Sequence, residues 1–113
     1  MLRRPTAADA PTMAAIELAA SLHPWTEADL RQVLALATTE AWLYDEAGPI
    51  GHVICAIVLD EAEILELAVH PNHQRRGLGR ALLNCAVSSW RSRGVRRAFL
   101  DVRDGNTPAI GLY

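Results

Sequence analysis

Glu63 to Leu83 reads EILELAVHPNHQRRGLGRALL, and the fold turns on it. Ile64 to Val69 is an apolar run interrupted only by Glu66, which fits a strand buried largely on both faces. His70-Pro71-Asn72 ends the run, because proline disfavours helix at the residue before it and cannot donate to a ladder. Gln74-Arg75-Arg76-Gly77-Leu78-Gly79-Arg80 follows, and Leu78, Leu82, Leu83, Ala86, Val87 and Trp90 then recur at helical spacing. A strand, a turn rich in Gly and Arg, and a helix start form a good phosphate cradle. The first amides of a helix lack internal partners and sit at the positive end of its dipole. Gly77 and Gly79 let an anion approach the backbone, and Arg75, Arg76 and Arg80 add charge.

Two nucleotide readings of this loop fail. A Walker A loop needs Gly-Lys-Ser/Thr, and the chain contains no lysine. A dinucleotide fingerprint needs a third small residue where Leu82 stands. Gln74, Gly77 and Gly79 do match the Q/R-x-x-G-x-G/A pyrophosphate loop, and the segment resembles that of the GNAT superfamily of N-acetyltransferases. The bland alternative is an ordinary strand-to-helix turn with solvated arginines.

The chain has 113 residues, enough for one domain with a modest core. Half of them are apolar, so a globular fold is expected. A net charge of −2 argues against a protein that coats nucleic acid, although the arginines cluster at 75–80 and 91–97. Cys55 and Cys85 lie in apolar runs without metal-type spacing and read as reduced core residues of a cytoplasmic protein. No signal peptide and no membrane-length apolar run is seen, so no membrane partner is expected.

In chain order, Leu2 to Pro5 reads as a short strand. Asp9 caps a first helix with Pro11 just inside and Met13, Ile16, Ala19 and Ala20 on its stripe. Leu18 falls off that stripe, which suggests a helix buried on more than one side. Thr26 and Asp29 form a loose capping pair for a second helix carrying Leu30, Val33, Leu34 and Leu36. Ala41 to Asp45 and Gly51 to Leu59 are strands around the Ala47-Gly48-Pro49 turn. Arg93-Gly94 stops the third helix. Arg97 to Val102 is another strand, and Asn106 caps a last helix with Pro108 in its first turn.

That order, β-α-α-β-β-β-α-β-α, is an α/β plan with a mixed sheet and helices on both faces. It resembles the acyl-CoA N-acyltransferase (GNAT) fold, over residues 1–113 as one N-acetyltransferase domain. Within the superfamily it is most similar to the RimI-like ribosomal-protein alanine N-acetyltransferases. The residues that carry this are His23 to Glu27, Val58 to Ala62, Leu67 to Pro71, Gln74 to Leu83, Leu100 to Arg103 and Asn106 to Tyr113.

The resemblance implies direct transfer of acetyl from acetyl-CoA to an amine. Backbone groups of Leu67, Ala68 and Val69 would take the pantetheine arm along a splayed strand edge, with the Val69 amide as oxyanion donor. Amides of Arg75, Arg76, Gly77, Leu78, Gly79 and Arg80 would hold the pyrophosphate. Asn106 matches a position that contacts the CoA arm, and as a helix cap it has a structural reason as well. Asp101 stands where RimI-like relatives carry Glu. The shorter acid moves its carboxylate by roughly an ångström, enough to call for a bridging water or a role in orienting Arg103. Glu63 and Glu66 are rival bases, the latter also readable as a solvent-facing or arginine-paired carboxylate. Tyr113 matches the family's general acid, or else packs as an apolar ring.

Other residues have plainer readings beside the sharp ones. His70 and His73 flank Pro71-Asn72 but lack the further ligands a metal needs, and no metal site is expected. His52, at a strand start, reads as surface or capping. Trp25 lies where relatives receive the acceptor peptide, and could equally pin the first two helices together. Arg91, Arg93, Arg96 and Arg97 read as a solvated helix end, with weak attraction to RNA or a CoA phosphate as the alternative.

Relatives continue the last helix and add two C-terminal strands, which are missing here. A truncated chain or incomplete record is the favoured explanation; a covering partner subunit and a degenerate protein are the others. If the molecule did end here, an exposed strand edge would favour a homodimer or a weakened fold. The expected activity is N-acetylation of a protein N-terminal α-amine, in particular of a ribosomal protein. A small-molecule amine acceptor and a catalytically impaired CoA-binding module are the alternatives, and no specific nucleic acid is expected.

Overall fold

The computed structural model describes residues 1–100. Asp101, Asn106 and Tyr113, and the last helix expected after Asn106, lie outside the described residues. Among the described residues, five strands form one sheet in the order β1-β2-β3-β4-β5. They are β1 (Leu2–Arg3), β2 (Thr39–Asp45), β3 (Pro49–Val58), β4 (Glu61–Val69) and β5 (Arg97–Leu100). The first four pair antiparallel, and β5 joins β4 in parallel from Glu61↔Arg97 to Ile64↔Leu100. α1 (Ala10–Ala20) and α2 (Glu27–Leu34) cover one face, and α3 (Leu78–Ser92) covers the other.

The alternation of β3 explains this two-sided cover. Val53, Cys55 and Ile57 join Leu82, Leu83, Ala86 and Trp90 of α3, while Ile54 joins Met13 of α1 and Leu30 of α2. A strand buried on both faces reads as one apolar run. Each fully buried Leu or Ile in these clusters contributes about 1.5–3 kcal/mol of transfer free energy. Gly51 leaves room for Leu82 of α3 against the sheet: a Cβ there would lie 3.2 Å from the Ala68 oxygen and 3.3 Å from Leu82 Cδ1.

A bulge in β4 departs from simple alternation. Ile54 pairs with Glu66 and Cys55 with Ile64, so Leu65 and Glu66 together oppose one residue of β3. Ala62 and Ile64 before the bulge, and Leu67 and Val69 after it, all pack toward α3. Leu65 faces the α1–α2 cluster, and the bulge turns Glu66 to that face as well.

The helices follow their stripes only in part: Ala19 and Leu36 are exposed, and Leu36 lies beyond the end of α2. Thr26 and Asp29 form the reciprocal cap of α2: Asp29 N–H donates to Thr26 Oγ1 at 3.1 Å, and Thr26 N–H to Asp29 Oδ2 at 3.0 Å. Asp9 does not cap α1 with its side chain. It accepts from the Thr6 amide at 2.7 Å and from Arg3 at 2.8 Å, closing the 3₁₀ turn of Ala7–Asp9. Nor is α1 buried on several sides, because Leu18 is 75 % exposed. The buried stripe is Ala10, Met13, Ile16 and, unexpectedly, Glu17.

Candidate active site

The loop after β4 is shaped by local hydrogen bonds. His70 N–H donates to the Ile50 oxygen at 2.9 Å, a last bond to β3. Pro71–His73 then makes a single 3₁₀ turn, held by Asn72 N–H donating to His70 Nδ1 at 3.1 Å. His73 Nδ1 lies 2.9 Å from Arg76 Nη1. Both histidines are thereby used in shaping the turn.

Because the His70 amide points at β3, period-two alternation turns the Ala68 amide the same way and the Val69 and Leu67 amides to the opposite edge. Gln74 confirms this direction: its Nε2 donates to the Val69 oxygen at 3.0 Å from outside the sheet. Arg75 then takes φ 66° and Gly77 φ 79°, two left-handed residues that swing the chain into α3. Gly77 is the cap residue and has no side chain to offer. The first bond across the cap is Ala81 N–H to the Gly77 oxygen at 3.0 Å. The amides of Leu78, Gly79 and Arg80 therefore have neither an intrahelical acceptor nor a side-chain cap.

These parts meet in one cleft of about 430 Å³, lined by Leu67, Ala68, Val69, Gln74, Arg75, Gly77, Leu78, Gly79 and Ala20. An open helix start at one end and an outward-facing strand edge along the wall suit an elongated ligand carrying a diphosphate. Most of the expected binding residues are thus brought together. Arg76 and Arg80 are not part of the lining. The Arg76 side chain is drawn away to Glu46, with Nη2 at 2.9 Å from Oε2, and this holds the Glu46 carboxyl below its usual range.

Trp25 is half-buried against the α1–α2 core, so it does pin the two helices together. Its neighbours His23 and Pro24, with Asp29, border an open depression of about 560 Å³.

Three titratable groups meet behind the cleft wall, and two expectations change there. His52 is not at the surface: it is fully buried, with Nε2 2.8 Å from Glu17 Oε2. Glu66 is half-buried, and among the described residues no arginine pairs with it. It is hydrogen-bonded to Glu17, and burial followed by that bond raises its carboxyl to about 8. Burial lowers His52 to about 4, against a smaller upward pull from Glu66. Neutral imidazole and protonated Glu66 both donate to Glu17, whose Oε1 also accepts from the Trp25 amide at 3.0 Å. Sequence reasoning missed Glu17. One signal was present, since Glu17 occupies the apolar stripe of α1 four residues after Met13.

Comparison with known proteins follows the same lines. The model of the acetyltransferase (GNAT) family matches residues 10–113. The [ribosomal protein bS18]-alanine N-acetyltransferase of Escherichia coli K12 is 36 % identical over 105 residues, covering 93 % of this chain and 71 % of the relative. Its counterpart in Haemophilus ducreyi is 34 % identical over 98 residues, covering 87 % and 68 %. The crystal structure of the ribosomal-protein-S18-alanine N-acetyltransferase from Escherichia coli superposes with a TM-score of 0.88 at 32 % identity, over 100 % of this chain and 73 % of that one.

Proposed function

We propose, from the premise that this chain belongs to the acetyltransferase (GNAT) family, that it transfers acetyl from acetyl-CoA to the N-terminal α-amine of a protein in the cytoplasm, with an alanine-starting ribosomal protein as acceptor. One observation carries the reading: the uncapped start of α3 and the outward edge of Leu67–Val69 open into the same cleft. The Leu78, Gly79 and Arg80 amides hold the diphosphate, and the Arg75 side chain adds charge beside it. The pantetheine arm lies along the amides and carbonyls of β4. The Val69 amide donates to the thioester oxygen as charge develops on it.

In the transfer, the acceptor nitrogen bonds to the thioester carbon as the carbon–sulfur bond breaks. The amine gives up one proton, and the departing thiolate takes one. Glu66 is a poor proton acceptor because it already holds a proton near neutral pH. Asp101, acting through water, is the base we assign, Tyr113 is the acid, and Asn106 contacts the CoA arm.

A thiol-release assay with acetyl-CoA tests this against alanine-starting peptides, polyamines and aminoglycosides. Acetylation of the peptide α-amine is expected. Turnover with small amines alone, or calorimetric CoA binding without thiol release for any acceptor, would overturn it.

A further inference from the structure

The group of Glu17, His52 and Glu66 lies outside the phosphate loop, yet it joins α1 and β4, which both contribute residues to the cleft lining. Glu17 is fully buried on α1, one turn before Ala20 of the cleft lining. It accepts the Trp25 amide at 3.0 Å from the loop after α1. His52 Nε2, at 2.8 Å, ties it to β3, and the Glu66 carboxyl ties it to β4. With its proton on Nε2, the neutral imidazole leaves Nδ1 as a bare acceptor, and that atom has no partner among the described residues. Glu66 shares a hydrogen bond with Glu17, and its Oε1 accepts from the Leu67 amide at 3.2 Å. That amide is one of the two that point to the cleft edge.

We propose that Glu17 and Glu66 are positioning residues whose shared hydrogen bond joins the Trp25 loop, whose open depression we assign to the acceptor, to the Leu67 edge, where the donor's arm lies. The proposal rests on the reading of the cleft as the acetyl-CoA site. A buried carboxylate holding three donors cannot release one without leaving a polar group unpaired, so loop and strand edge move together or not at all. The bulge makes this possible, since without it Glu66 would lie on the α3 face with Ile64.

Amide hydrogen exchange on the full chain reads the coupling without any substrate. Glu66→Gln keeps a donor for Glu17 and an acceptor for the Leu67 amide, whereas Glu66→Ala keeps neither. Measured against the core amide of Leu83, the Trp25 and Leu67 amides should exchange at wild-type rates in Glu66→Gln and about tenfold faster in Glu66→Ala. The KM values for peptide and acetyl-CoA should rise together in Glu66→Ala and be rescued in Glu66→Gln. Unchanged Trp25 exchange in Glu66→Ala would overturn the proposal. So would full protection with abolished turnover in Glu66→Gln, which would make Glu66 a base. Failure of the wild-type chain to bind acetyl-CoA, with the exchange coupling present, would instead overturn the assignment of the cleft.

Discussion

Arg93, the residue that closes α3, places Nη1 2.6 Å from Oε2 of Glu40 on β2. This guanidinium is therefore not part of a simply solvated helix end. Glu40 is 1 % exposed, and it also accepts from Ser89 Oγ at 2.9 Å and Trp42 Nε1 at 3.4 Å, with Arg4 at 3.5 Å. The cluster fastens the far end of α3 to the sheet, which fixes the direction from which its first turn meets the cleft. Glu40→Gln should lower stability by about 1–3 kcal/mol in urea denaturation, because the buried position keeps its shape but loses charge-assisted bonds. Arg93→Ala should cost less, since half of that side chain is already in water. Equal losses would show that Glu40 is not the centre of the cluster.

Gly79 and Gly51 separate binding from folding. A Cβ at Gly79 would make only an ordinary contact, 3.9 Å from Val69 Cγ2. Gly79→Ala should therefore fold as well as wild type or slightly better, given alanine's advantage of about 1 kcal/mol in a helix. Yet that methyl group adjoins the cleft, so acetyl-CoA affinity by calorimetry should fall about tenfold. Gly51→Ala places its methyl group against the Ala68 backbone and should cost about 1–3 kcal/mol in stability. Unaltered acetyl-CoA affinity in a folded Gly79→Ala protein would place the diphosphate elsewhere.

Much of this was legible in the sequence, because each legible part follows from a local rule. The strand, the proline break and the glycine turn into α3 are set by neighbours within a few residues. So is the Thr26–Asp29 cap. What escaped depends on contacts distant in sequence or on a change of strand register. Glu17 and His52 are 35 positions apart, and nothing local to either specifies the other. The bulge at Leu65–Glu66 depends on pairing with β3, so strict alternation along β4 assigns Glu66 the wrong face. Leu18, at 75 % exposure, was overread because a lone apolar side chain on a helix surface needs no burial to account for it.

Two adjacent arginines should behave differently toward the cofactor. Arg75 lines the cleft, whereas the Arg76 guanidinium is occupied by Glu46 at 2.9 Å and by His73 Nδ1 at 2.9 Å. Arg75→Ala should weaken acetyl-CoA binding about threefold to tenfold and reduce its salt dependence. Arg76→Ala should change affinity less than twofold, its exposed pair with Glu46 contributing little to stability either. A larger loss from Arg76→Ala would mean that the pair opens when the ligand arrives.

His52 and Glu66 bend the stability profile in opposite directions. Burial lowers His52 from 6.5 to about 4, so the unfolded chain takes the proton first as the solution is acidified. Its contribution is fully present above pH 6.5 and is lost as pH falls toward 4. Asp9 and Asp45, both held below the usual carboxylate range by Arg3, add to the acid-side loss. Glu66 has the contrary sign. Raised from 4.5 to about 8, it keeps in the folded state a proton that the unfolded chain has released. Its contribution is fully present below pH 4.5 and is lost as pH rises through 8. The urea midpoint should therefore fall on both sides, with the alkaline fall assignable to one residue. Glu66→Gln cannot ionise and should flatten the profile between pH 6.5 and 8, while the acid limb, no longer offset by Glu66, extends up to pH 6.5. An alkaline limb that persists unchanged in Glu66→Gln would show that the carboxyl is ionised in the folded protein, and the donation from Glu66 to Glu17 would have to be abandoned.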